Sequence, residues 1–491
     1  MRAEHVDVLI VGAGLSGVGA ACHLRDRCPG KTVAILEARG AVGGTWDLFR
    51  DPGVRSDSDM FTLGYAFRPW PEPQAIADGG SILDYIRATA AERGVDRLVR
   101  FHHRVAAADW DSATARWTVR AQRTDTGEAV ELTCSFLYSC TGYYRYDAGY
   151  TPTFPGIDRF RGQVVHPQHW PADLDYRGKR VAVVGSGATA VTIVPAMAAE
   201  AAHVTMVQRS PSWVMSLPTE DRLGDWMRRR LPRRLALQLI RWKNVLLATL
   251  IFQLSRRAPG VMKSLLSAGA RRQLPPGYPV GTHFAPRYAP WDQRLCFVPD
   301  GDLFRAITSG RASVATDAID TFTERGLRLA SGAEVEADIV VTATGLAVLA
   351  LGGMKLTVDG REVDIADTVA YKGMMLSGVP NFALALGYTN ASWTLKCDLT
   401  SAYVCRLIDH LDRHGYQVVT PVPPPSGPLQ PLIDLRSGYV LRALDRLPKQ
   451  GPATPWRLHQ NYPRDVLMMR HGRVDDEGVR FGRVPVPVPA G

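Results

Sequence analysis

A chain of 491 residues with 46% apolar side chains can bury a sizeable core, which excludes a disordered or fibrous protein and sets the expectation of two or three globular domains. The formal charge of +10 is concentrated: residues 221–273 hold thirteen Arg and Lys against Asp221 and Asp225, so the remainder is near neutral and no nucleic-acid partner is read from it. Seven cysteines without C-x-x-C spacing read as reduced thiols with no metal or catalytic role, and the amino end carries no export-signal pattern, so the expected location is cytoplasmic.

The stretch "HVDVLIVGAGLSGVGAACHLRD" reads as a buried strand, a tight glycine turn and a helix with small residues where it approaches the sheet. Gly12, Gly14 and Gly17 form G-x-G-x-x-G, which lets a pyrophosphate reach the backbone at the helix amino end. Twenty residues past Gly17, at the end of the next strand "KTVAILEARG", Glu37 is placed to accept hydrogen bonds from ribose hydroxyls. Gly44, Thr45 and Trp46, in "GGTW", suit the wall of a pocket around a flat cofactor. Further strands are expected in "ARWTVRAQ" and "AVELTCSFLYSCTGYY".

A second unit repeats the pattern in "KRVAVVGSGATAVTIVPAMAAE": Gly185 and Gly187 shape the turn, Ala188 and Thr189 open the helix, and Ala190 closes the helix against the strand. Its following strand, "HVTMVQRS", ends in Gln208, Arg209 and Ser210 with no acid, and a guanidinium there pairs with a 2′-phosphate. The first site therefore reads as FAD and the second as NADPH. Hydride passes from one to the other, and without a paired redox cysteine the electron acceptor is O2.

The basic block is helical in pattern, "LALQLIRWKNVLLATLIFQLSRR", with apolar stretches expected to fall far short of the ~20 residues of a membrane span. It reads as a helical insertion at about 218–280 that lines the substrate entrance with a solvated cationic face. The competing reading is a membrane-surface redox sensor docking through residues 221–273. "ADIVVTATGL" is an apolar strand ending at Gly345, after which the chain returns to its first domain. The expected architecture is α/β, with two Rossmann-type domains and the NADP domain inserted in the FAD domain. The FAD-binding parts are 1–150 and 346–480, the NADP-binding part is 151–345, and 481–491 is a flexible tail.

Between the two glycine motifs stands "FRGQVVHPQHWP", with Phe160, Gly162, His166, Trp170 and Pro171 at the fixed points. This F-x-G-x-x-x-H-x-x-x-W-P pattern resembles the fingerprint of Baeyer-Villiger monooxygenases, class B flavoproteins. From this composition, Phe, Gly, His and Trp would fall at those offsets by chance about once in 1,500 such chains. "GGTWDLFRDPGVRSDSDMFTLGYAFRPW", "PWDQRLCFVP", "YKGMMLSGVPN" and "GYTNASWTLKCDL" extend the resemblance over nearly the whole chain, toward the ethionamide-activating subgroup. Asp51 departs from it, standing where relatives usually carry Tyr, near the expected pocket entrance.

The resemblance implies insertion of one oxygen atom of O2 into a ketone through a flavin C4a-peroxide, giving an ester or lactone, with sulfides or thioamides as further substrates. It implies that Arg294 holds the negative charge of the peroxide and that Asp57 positions Arg294. It also implies a fingerprint that links the domains, with Gly162 making a sharp turn. Flavin-containing monooxygenases confined to nitrogen and sulfur, which share the motif but usually lack its Trp-Pro ending, are the alternative.

Overall fold

The computed structural model describes residues 4–424 and 426–484, which are organised around two large sheets, of nine and five strands, with helices packed on them and smaller two- and three-stranded sheets beside them. Strand Glu4–Val11 lies in the middle of the first, parallel to Val33–Leu36 on one side and to Ala129–Ser139 on the other. Its apolar run, with Leu9 and Ile10 fully buried, is what a parallel strand covered on both faces requires. His103–Asp111, Arg116–Arg123 and Ala129–Ser139 form an antiparallel meander on this sheet. Lys355–Val358 and Phe382–Leu384 return to it from the far side of the sequence.

The second sheet is wholly parallel, in the order Ala312–Thr316, His203–Gln208, Arg180–Val184, Ile339–Thr342, Gln163–Val165. The five strands of this sheet all fall between residues 163 and 342, whereas the strands of the first sheet come from both sides of that interval. The fold is α/β with two dinucleotide-binding units, one interrupting the other.

Gly12 takes φ +103°, and a Cβ on Gly17 would sit 1.9 Å from the Gly12 carbonyl oxygen, so the first turn admits only glycine at both. Helix Leu15–Arg27 is buried from Leu15 to Leu24 and packs on the 22-residue helix Trp393–His414. All seven cysteines are free and buried.

Two expectations need correction. Val479–Gly482 pairs with Val418–Pro421, so residues 481 and 482 belong to the body; residues 485–491 of the expected tail lie outside the described residues. The basic block forms helices Arg222–Arg230, Arg233–Arg257 and Pro259–Gln273, and the second is long and apolar enough to cross a membrane by length and composition. Arg241 and Lys243 broke the apolar stretch on paper, but one continuous helix carries the leucines on either side of them.

Candidate active site

A cavity of about 900 Å³ opens at the carboxyl end of Glu4–Val11. Gly12, Gly14, Glu37, Gly44, Thr45 and Trp46 line it, and so do Asp57 and Arg294. Gly14 and Gly43 pair across the floor, and a Cβ on Gly44 would lie 2.9 Å from the Gly14 Cα, so the backbone alone shapes this cradle. Glu37 is buried; its oxygens accept from the Ala13 and Arg39 amides at 2.8 and 2.9 Å, and desolvation lifts its pKa above the ordinary carboxylate range. The expected ribose contact thus falls to the lone pairs left over. A bare glycine floor, an acid at the ribose position and an aromatic wall fit FAD along this cavity.

The second glycine loop sits at the carboxyl end of Arg180–Val184. Gly185 takes φ +144° beneath the Ala343 carbonyl, while a Cβ on Gly187 would meet nothing within 4 Å, leaving an open approach to the amino end of helix Ala188–Met197. Ser186 Oγ donates to the Ser210 carbonyl at 2.9 Å, which ties that loop to the strand end carrying Arg209. Arg209 and Ser210 are exposed, and Arg209 forms no ion pair among the described residues. Gln208 is instead buried, donating to the His283 carbonyl and Thr316 Oγ1.

Arg294 and Asp57 meet at 2.6 Å. Burial alone would depress the Arg294 pKa, but Asp57 and the hydroxyls of Tyr143, Tyr439 and Tyr144 raise it overall, so the cation is permanent. Asp57 rides on a loop of the first unit, whereas Arg294 precedes strand Cys296–Pro299, which pairs with Val214–Leu217 of the second unit's chain. The turn before Arg294 is strained: Trp291 takes φ +66°, a conformation a bulky side chain rarely adopts outside functional sites. Asp292 holds that turn by accepting from the Ala289 amide at 3.1 Å and from Arg256 at 2.9 Å.

The tyrosines carried no sequence signal beyond their place after "SCTG". Tyr143 stacks on Trp393 with centroids 5.2 Å apart, and its hydroxyl meets that of Tyr144 at 2.8 Å. Tyr439 arrives from almost 300 residues away and closes the cluster around Arg294.

The fingerprint lies where the chain crosses between units. Segments 143–150 and 345–349 run side by side, with Arg145 donating to Ala347, Leu349 to Tyr143 and Tyr150 to Gly345. The His166 ring packs against Gly149, and burial holds its pKa below the ordinary value. Phe160 meets Phe322 edge-on, and Trp170 packs on the second unit's core while Pro171 is exposed. The chain bends at Gly162 without entering the left-handed region, and glycine is required there because a Cβ would lie 2.3 Å from the Asp338 carbonyl oxygen. Gln168, at an unspecified position of the motif, is the unforeseen member: its buried amide donates to the Arg145 and Tyr146 carbonyls at 2.8 and 2.9 Å.

Asp51 does not line the cavity. Its loop packs on the other unit, where a Cβ on Gly53 would lie 2.7 Å from that of Ala196 on helix Ala188–Met197. Asp51 is 4% exposed, its Oδ1 has no hydrogen-bond partner, and burial raises its pKa to about 7.

The flavin-binding monooxygenase-like family model matches residues 64–241, and an NAD(P)-binding Rossmann-like model matches residues 10–70. The chain is 56% identical over 487 residues to the FAD-containing monooxygenase EthA of Mycobacterium tuberculosis, covering 99% of both. It is 52% identical over 480 residues to EthA of Mycolicibacterium smegmatis, covering 97% of both. A solved oxidized steroid monooxygenase bound to NADP superposes with a TM-score of 0.74 at 22% identity, over 98% of this chain and 100% of that one. Cyclohexanone monooxygenase in its open form gives 0.70 at 19% identity, over 86% and 90%. At such identities these two report a common fold.

Proposed function

The chain belongs to the FAD-containing monooxygenases, and from that premise we propose that it uses NADPH to insert one oxygen atom of O2 into carbonyl compounds, giving esters or lactones, and oxidises sulfides or thioamides at the same site. Bound FAD supplies the two-electron chemistry by which O2 is split, one atom going to substrate and the other to water. The observation that carries the reading is the Arg294–Asp57 pair lining the same cavity as the glycine cradle. There a fixed guanidinium meets negative charge as it develops on oxygen, and Asp57 fixes the direction in which it points.

Arg209 and Ser210 hold the 2′-phosphate of NADPH, beside the Gly185–Gly187 loop that receives the pyrophosphate at the helix amino end. Tyr143 and Trp393 wall the space next to Arg294 with aromatic surface, which favours apolar substrates and excludes water from the developing charge. Gln168 and His166 clamp the paired crossing segments, so that the second unit moves about a defined hinge.

A second reading, oxygenation confined to nitrogen and sulfur, draws support from the flavin-binding monooxygenase-like match over residues 64–241. The two part on product analysis with a simple ketone and a thioether under NADPH and air. An ester or lactone supports carbonyl insertion; sulfoxide without either assigns the narrower chemistry.

A further inference from the structure

Fourteen large apolar side chains stand exposed among the described residues, and ten of them fall between Leu223 and Leu265. Leu235, Leu239, Trp242, Leu246 and Leu250 recur at steps of three and four, which puts them on one stripe of helix Arg233–Arg257, with Leu246 56% and Leu250 63% exposed. The opposite face of the same helix is also used: Ala236, Ile240 and Val245 are buried, Arg241 donates to the Phe61 and Gly64 carbonyls, and Asn244 donates to Asp59. Trp242 leans on Tyr462 with ring centroids 5.7 Å apart, whereas the leucines of the stripe stay exposed, and a helix apolar on both faces asks for an apolar medium on its outer side. The flanking helices pack on it and add Leu223, Trp226, Val261 and Leu265.

Charge selects the occupant. Arg229, Arg230, Arg233 and Arg234 crowd the entry to the long helix and Arg257 its exit, all exposed and none paired with an acid among the described residues. An isologous contact with a second copy would set these cations against their own images. A nucleic acid would answer the charge but leave the leucines in water. Cations at both ends of an apolar stripe that carries tryptophan suit the headgroup boundary of an anionic bilayer. Length alone would let this helix cross a membrane, but Arg241, Lys243 and Asn244 spend their polar groups on Phe61, Gly64, Asp221 and Asp59, which pins it to the protein.

We propose that the helical surface 222–265 docks this enzyme on an anionic lipid bilayer, lying on the membrane without spanning it. The docking rests on the surface itself and not on the substrate reading. The experiment is flotation of the full-length, FAD-loaded protein with vesicles of phosphatidylcholine alone or with about one lipid in three replaced by phosphatidylglycerol. Binding is expected on the mixed vesicles, weaker in high salt, and released by an alkaline carbonate wash.

The double substitution Leu246→Glu with Leu250→Glu should lower binding at least about 100-fold by removing two apolar anchors. Arg229→Gln, Arg230→Gln, Arg233→Gln and Arg234→Gln should each weaken it about fivefold on mixed vesicles only. Flavin content and NADPH oxidation serve as controls, since none of these residues touches the cavity. Failure of the wild-type protein to float with mixed vesicles overturns the proposal whatever the variants do, as does undiminished binding of the glutamate variant. Retention through the carbonate wash would mean a span, and a wild-type dimer made monomeric by the glutamates would give the face to a second copy; each also overturns it.

Discussion

Replacing Asp51 with Asn should change how the stability of this protein depends on pH. The carboxyl is 4% exposed, Oδ1 has no hydrogen-bond partner, and burial raises its pKa from an ordinary 3.8 to about 7. Below about pH 4 both folded and unfolded chains hold the proton, and ionisation costs nothing. Between about pH 4 and 7 the unfolded chain gives up its proton while the folded chain keeps it, so stability falls as pH rises and levels off above the folded pKa. The full loss is about 4 kcal/mol, of which about 3 kcal/mol falls between about pH 4.5 and 8. With an unfolding entropy of about 1 kcal/mol/K for 491 residues, that is about 3 °C.

Asp51→Asn has no proton to lose. Melting temperatures of the two proteins, measured side by side across that range, should separate by about this amount in favour of the variant at high pH, with every other titrating group cancelling in the difference. Parallel curves would refute the buried, uncompensated carboxyl.

Arg294→Ala should leave flavin bleaching by NADPH intact in anaerobic stopped flow yet lower oxygenated product at least about 100-fold; undiminished product would remove Arg294 from the chemistry. Arg209→Ala should raise the KM for NADPH roughly 5- to 150-fold, by loss of about 1 to 3 kcal/mol of charged hydrogen bonding, with the KM for NADH unchanged; equal effects on both would place the guanidinium elsewhere. Gln168→Met, which removes the two hydrogen bonds to the Arg145 and Tyr146 carbonyls, should lower stability by about 2 kcal/mol in a denaturant titration, and an unchanged midpoint would show those bonds to be idle. Arg55→Gln breaks the 2.5 Å pair with Asp302 and should divert NADPH oxidation from product to hydrogen peroxide without slowing flavin reduction; unchanged coupling would show that pair to be irrelevant to catalysis.

The glycine loops were legible because backbone geometry admits nothing else: Gly12 and Gly185 take positive φ beneath carbonyl oxygens, whatever the rest of the chain does. The alternation of strand, turn, helix and strand around them gave the two-unit fold for the same local reason. Arg294 and Asp57 were not legible from spacing, since 237 positions separate them and only the fold puts them 2.6 Å apart; resemblance supplied them. Tyr439 converges on the neighbouring Tyr143 and Tyr144 from almost 300 positions away. Gln168 sat in view inside the fingerprint, but a motif reports which residue types recur and not which amide reaches across to a carbonyl. The helix at 233–257 misled for another reason: two cations that look like interruptions of an apolar stretch point inward to carbonyls and an aspartate, leaving the leucine stripe unbroken.

Residues 51–57 join these findings. Within seven positions that loop lays Gly53 against helix Ala188–Met197, pairs Arg55 with Asp302, and presents Asp57 to Arg294. All three partners belong to chain on the far side of the crossing segments, so the loop meets its partners only when the two units are docked. The orientation of the guanidinium toward the cavity is thus a property of the docked arrangement and not of either unit alone. The pairing of Asp57 with Arg294 therefore depends on the second unit being in place against the first. A loop this heavily engaged also explains why the buried Asp51 within it is tolerated: the neighbouring contacts hold it in a site that its own ionisation opposes.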